Sequence, residues 1–277
     1  MTNDLVARLS IAAVMVVLIA PIERAAPQAP AAPLVIGETF TLQSAVLRES
    51  RRINVYRPPG YADSVRVPVL YMLDGGLKED FLHIAGLVEV LVGDGTMRPF
   101  MLIGIENTAR RRDLTGPTDN ADDKTIAPRV GGSAAFRAFI RTELMPEVKA
   151  RYRTTGETAV IGESLAGLFV VETLVTEPDL FDSYIAVDPS LWWNDEHLVA
   201  NLDGRSAPRP SSRKIVFLAG SSDALELAQR LALKLELGTI PRVECQYVPM
   251  PDETHATVFH PAALRAFRAL FKPTASK

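Results

Sequence analysis

The chain has 277 residues, 47% hydrophobic and 23% charged, with a formal net charge of -3. That length accommodates one large α/β domain with a sizeable core, and the composition is that of an ordinary globular protein. A pI near 5.9 carries no basic excess to recommend nucleic acid, and no acidic block suggests a solvating tail.

Residues 1–33 read as a signal-like segment. Arg8 precedes the apolar run Leu9 to Ala20, and a Pro/Ala-rich linker follows to Pro33, with Ala29-Pro30-Ala31 offering a cleavage site. The run falls short of the roughly 20 residues a membrane span needs. Export to the periplasm or the exterior is therefore expected, with no stable membrane insertion once the signal is removed; the weakly positive start leaves an uncleaved anchor as the alternative.

Residues 34–277 read as a single α/β domain. Glu38 to Leu47 alternates as a strand, and Arg51 to Tyr56 forms a second, stopped by Pro58-Pro59-Gly60. Val67 to Leu73 is continuously apolar, as in a strand buried on both faces, and ends in Asp74-Gly75-Gly76. A helix is expected over Phe81 to Val92 and a strand over Phe100 to Ile105. Residues 108–131 are polar and read as a long loop containing Arg110-Arg111-Arg112-Asp113. Loops of that length in a compact domain are usually functional or mobile. Ser133 is the expected N-cap of a helix running to about Tyr152 and kinked at Pro146.

Further strands are expected at Thr158 to Ile161, Ser183 to Val187, Lys214 to Ala219 and Val243 to Val248. Helices follow at Leu165 to about Pro178, Asp195 to Leu202, Leu225 to Leu237 and Pro261 to Phe271. Strands alternating with helices after an antiparallel start describe an open, mostly parallel sheet covered on both faces. The single cysteine, Cys245, cannot form an intramolecular disulfide and is expected in the core. No Cys/His spacing suits a metal, and no cofactor is expected.

The stretch that organises the chain is Thr158-Ala-Val-Ile-Gly-Glu-Ser-Leu-Ala-Gly167. A buried strand runs into Gly162-Glu163-Ser164, and a helix follows at once. This is the strand–turn–helix setting of a nucleophile elbow. The usual spacing is Gly-x-Ser-x-Gly; here Ala166 holds the second small position, with Gly167 behind it. In open α/β sheets the site lies outside the carboxyl ends of the strands, and Ser164, Asp223 and His255 all fall there in that order. A serine needs a base to take its proton, a neutral imidazole suits that near pH 7, and a carboxylate fixes its tautomer. Nucleophile, acid, histidine is the order used by α/β-hydrolases.

The acid is the open position. Asp223 is favoured, Glu226 and Asp188 are the alternatives, and a serine–histidine dyad needs none. Leu165 N–H and Gly76 N–H, with Gly75 next, are the expected oxyanion donors. His83, His197 and His260 are expected to be structural.

Five stretches in order carry a family resemblance: Val-Leu-Tyr-Met-Leu-Asp-Gly (69–75), Gly-Ile-Glu-Asn with Arg-Arg-Asp-Leu-Thr (104–115), Gly-Glu-Ser-Leu-Ala-Gly (162–167), Asp-Pro-Ser-Leu-Trp-Trp (188–193) and Glu-Thr-His (253–255). Over about residues 38 to 272 the chain resembles the Putative esterase family of α/β-hydrolases. That family includes esterase D, feruloyl and acetyl-xylan esterases, mycolyltransferases and the enterobactin and salmochelin esterases. The resemblance implies an α/β-hydrolase fold and serine carboxylic-ester hydrolysis through an acyl-enzyme. The substrate would be a small or aromatic ester, with a siderophore lactone within range. Asp188 departs from the serine that the siderophore-esterase branch often has there. Arg111, Arg112, Trp192 and Trp193 are candidates for substrate contact, the arginines for carboxylate or catecholate oxygens and the tryptophans for stacking. The rivals are acyl transfer to an alcohol on the same fold and a non-catalytic binding protein.

Overall fold

In the computed structural model, which describes residues 31–58, 61, 65–127, 129–202 and 208–273, eight strands form one sheet in the order β1-β2-β4-β3-β5-β6-β7-β8. β1 (Glu38–Ser44) pairs antiparallel with β2 (Glu49–Tyr56), and β2 antiparallel with β4 (Met101–Ile105). Every later pairing is parallel, through β3 (Val67–Met72), β5 (Thr154–Glu163), β6 (Ser183–Val187), β7 (Lys214–Ser221) and β8 (Val243–Met250). β3, β4 and β6 are buried along their whole length, as continuous apolar strands must be when helices cover both faces.

One face packs under α1 (Phe81–Gly93) and α9 (Phe259–Leu270), where Phe81, Ile84, Val88 and Phe267 meet Met72, Leu102, Ile161 and Phe217. On the other, α6 (Leu165–Thr176) and α8 (Leu225–Glu236) bring Phe169 and Leu231 against Tyr71, Val160, Tyr184 and Val216. Contacts divide the chain into Met1–Val35 and Ile36–Lys277. The apolar run Leu9 to Ala20 lies outside the described residues. Among the described residues no helix is long and apolar enough to cross a membrane.

Three local expectations are corrected. The polar stretch 108–131 carries two short helices, α2 (Arg110–Leu114) and α3 (Ala121–Ile126), the second capped by Asn120, whose side chain accepts the Asp122 N–H at 2.7 Å. This stretch is fastened by buried charge. Asp113 pairs with the guanidinium of Arg51, both almost wholly enclosed, and also takes Arg112 Nε at 2.6 Å. Second, the helix after Gly132 is not simply kinked at Pro146. It divides into α4 (Ser133–Phe139), a π-helical stretch Ile140–Leu144 and α5 (Met145–Arg151). A π segment just ahead of the proline absorbs the missing N–H and the ring clash. Third, Ser133 is inside α4, and its hydroxyl donates to Glu172 Oε1 at 2.9 Å instead of capping. Cys245 is half-buried against the core edge, where burial pushes its thiol up to about 12.

Candidate active site

The elbow is built from the tight join between β5 and α6. Ser164 sits between them with φ 60° and ψ -123°, backbone that a non-glycine residue adopts only under strain of about 1–3 kcal/mol. The strain is held by bonds on both sides. Ser164 N–H donates to Val187 O at 3.1 Å, and Ser164 O accepts the N–H groups of Leu168 (2.9 Å) and Ser190 (3.0 Å). A Cβ on Gly162 would stand 2.6 Å from the Ala166 backbone, and one on Gly167 2.9 Å from Val187 O. The departure from Gly-x-Ser-x-Gly is thereby explained: Gly162 and Gly167 occupy the two close approaches, and Ala166 has room opposite Gly162.

β6 is the strand beside β5, with Val187 level with Glu163. The next residue, Asp188, is therefore delivered beside the elbow, and it is buried with φ 45°. His255, on the loop between β8 and α9, donates from Nδ1 to Asp188 Oδ2 at 2.6 Å. Ser221, the last residue of β7, holds the same carboxylate through its backbone N–H (2.6 Å to Oδ1) and hydroxyl (2.9 Å to Oδ2). Asp223 does not reach the imidazole. Its Oδ2 accepts the backbone N–H of His255 at 2.8 Å, so the favoured acid of the sequence reading braces the histidine loop, and the alternative, Asp188, meets the ring. Glu226 lies in the first turn of α8. Because an ionised carboxylate only accepts, Nδ1 carries the proton and Nε2 keeps its lone pair. The hydrogen-bond contact of Ser164 Oγ is with Ser190 Oγ at 3.4 Å.

Leu165 is the first residue of α6, where a backbone N–H has no intrahelical acceptor. The Gly75 N–H is spent on Ile105 O at 3.0 Å. The Gly76 N–H is free of backbone partners and donates to Glu79 Oε2 at 2.7 Å.

The expected substrate contacts divide. Arg112 is tied to Glu49 at 2.7 Å and to Asp113, and Arg111 donates to Ile126 O. Arg112 is thereby fixed to the scaffold around α2, while Arg111 is exposed and held through one nitrogen. Arg110, their neighbour, grips Asp74 with bonds of 2.7 and 2.8 Å. Trp193 is buried and its indole N–H donates to Gly116 O at 3.1 Å, as a core residue would. Trp192 is 46% exposed. His83 and His260 bond each other at 2.7 Å, joining α1 to α9, and His197 pairs with Asn201.

Nothing in the local sequence marks Glu163 as more than a spacer. It stands next to Ser164, and its carboxyl is pushed up to about 7 by burial, with the charge of His255 opposing and those of Asp80, Asp188 and Asp74 adding. As pH rises through about 7, Glu163 gains a negative charge beside Ser164. Glu163→Gln should therefore remove any step near pH 7 that this carboxyl puts into the kcat/KM–pH profile. A carboxyl raised in the fold contributes stability below its unfolded value, lost as pH rises through the folded one. The Tm of Glu163→Gln relative to wild type should therefore climb between about pH 4.5 and 7 and level off above. Parallel profiles for both proteins would show no such charge.

The family described as Putative esterase matches residues 44–236. The chain belongs to that family. It is 30% identical over 249 residues to the ferri-bacillibactin esterase BesA of Bacillus subtilis, covering 78% of this chain and 81% of that protein. Over 144 residues, 46% of each chain, it is 34% identical to the siderophore triacetylfusarinine C esterase of Aspergillus fumigatus. Among solved structures, an IroE-like serine hydrolase from Shewanella oneidensis superposes with TM-score 0.74 at 30% identity, covering 85% of this chain and 80% of that one. The fold is that of the α/β-hydrolases, and this esterase is a carboxylic-ester hydrolase.

Proposed function

We propose that this esterase cleaves siderophore lactone esters through an acyl-enzyme, with Ser164 as nucleophile, His255 as base and then acid, and Asp188 orienting the imidazole. The observation that carries the reading is the 2.6 Å bond from His255 Nδ1 to buried Asp188, beside a strained Ser164. His255 Nε2 takes the Ser164 proton as Oγ attacks the ester carbonyl. Apo hydrogen bonds of this kind commonly tighten only with substrate in place, so the resting Ser164–Ser190 contact gives way at that stage. The Leu165 and Gly76 N–H groups receive the oxyanion. The imidazolium then protonates the leaving alkoxide. Water, activated by the same Nε2, splits the acyl-enzyme to release the carboxylic acid and restore Ser164.

The substrate class is supported by the relatives, which include esterases of ferri-bacillibactin and triacetylfusarinine C. The test is hydrolysis of ferri-bacillibactin, triacetylfusarinine C and enterobactin, followed by mass spectrometry, beside p-nitrophenyl acetate and butyrate. Turnover of the nitrophenyl esters without any siderophore would restrict the reading to simple esters. Trp192, two residues beyond Ser190 and exposed, is the proposed stacking surface for an aromatic acyl group. Trp192→Ala should raise KM for a catecholate ester several-fold at unchanged Tm. Trp193→Ala should instead lower Tm, at a cost of about 3–5 kcal/mol for a buried tryptophan. Export is proposed from the apolar run Leu9 to Ala20 and its linker; N-terminal sequencing of protein from the periplasm or medium tests it.

A further inference from the structure

The oxyanion donor assigned to the β3 turn is already engaged. Gly76 N–H donates to Glu79 Oε2 at 2.7 Å. The other oxygen of that carboxylate accepts the Asn107 side-chain amide at 2.9 Å and the Asn107 backbone N–H at 3.4 Å. Asn107 is itself held by Asp74, at 2.5 Å, and Arg110 fixes Asp74 from the other side. The packing is close: a Cβ on Gly76 would stand 2.8 Å from Glu79 Oε2 and 2.9 Å from Glu106 Cγ. Glu79 is only half-buried, so its side chain has a path outward.

We propose that Glu79 is a resident occupant of the oxyanion site, holding the Gly76 N–H in the resting enzyme and leaving it when the ester carbonyl arrives. This rests on the reading of Ser164 as nucleophile and Gly76 as donor. An N–H directed at a carboxylate makes a charge-assisted bond, roughly twice as strong as a neutral one. The same N–H cannot serve a developing oxyanion, and two negative oxygens at that separation repel. Glu79 therefore stabilises the resting state relative to the tetrahedral intermediate.

There is an opposing role with the same geometry. A glutamate reaching back three residues to a backbone N–H is the second half of a capping box, which would make Glu79 a support for the turn. The two roles predict opposite signs. The experiment measures the second-order rate of fluorophosphonate labelling and kcat/KM for p-nitrophenyl acetate, for wild type, Glu79→Gln and Glu79→Ala, with Tm recorded for each. Removing a competing charged acceptor should raise both rates in Glu79→Ala by about threefold or more. Glu79→Gln, whose neutral amide oxygen is a weaker acceptor, should show a smaller gain. A wild type that labels while Glu79→Ala is unchanged or slower would overturn the proposal and leave Glu79 as a turn support. Should Glu79→Ala fail to fold, the absence of any gain in Glu79→Gln overturns it equally. A folded wild type that neither labels nor turns over any ester would instead overturn the assignment of Ser164.

Discussion

Ser164→Ala is expected to abolish fluorophosphonate labelling and to lower kcat on the order of a million-fold, the loss that follows removal of the nucleophile in a triad working as a unit. Stability should barely change. The hydroxyl's hydrogen-bond contact is the long one to Ser190 Oγ at 3.4 Å, while the bonds that hold the elbow run through the Ser164 backbone to Val187, Leu168 and Ser190 and survive the substitution. Alanine at φ 60° is no more strained than serine. A matched Tm with activity gone would identify Oγ as the attacking atom. A folded Ser164→Ala that still turns over p-nitrophenyl acetate would mean that another group attacks, and the mechanism written for His255 would fall with it.

The elbow was legible because everything it needs is local. A buried strand, a glycine two before the serine and small residues after it are all written within residues 158–167, and the structure adds only the reason Ala166 is tolerated. The sheet was legible for a related reason: buried parallel strands declare themselves as apolar runs, as Val67–Met72 and Ser183–Val187 do. What was not legible depends on partners far along the chain. Residues 108–131 look like a solvated loop because the partners of Asp113 and Arg112 are Arg51 and Glu49, some sixty positions away, and no local periodicity records a buried ion pair. The same separation hides from the sequence the bonds that tie Arg112 to Glu49. Trp192 and Trp193 are chemically identical in sequence, and only the backbone turn after Ser190 decides which indole is enclosed.

Asp188→Asn is expected to lower kcat by about four orders of magnitude, because an amide at that position can donate to Nδ1 and stabilise the wrong tautomer of the histidine. Asp223→Asn should cost far less. Its oxygen accepts a backbone N–H, that of His255 at 2.8 Å, and an amide oxygen does so nearly as well. Sequence order favoured Asp223 because it follows β7, whereas Asp188 follows β6. Strand adjacency puts Asp188, not Asp223, in hydrogen-bond contact with the ring. β6 lies between β5 and β7, so its end is flanked by Ser164 on one side and by Ser221 on the other, and Ser221 supplies two donors to the Asp188 carboxylate. Those donors make a second comparison informative. Ser221→Ala removes the hydroxyl that holds Oδ2 and leaves the backbone N–H to Oδ1, so it should lower kcat by a modest factor and leave KM unchanged. Equal losses in Asp188→Asn and Asp223→Asn would mean that the histidine depends on its loop anchor as much as on its ring partner. A large loss in Asp223→Asn alone would restore Asp223 as the acid and require the loop to rearrange when substrate binds.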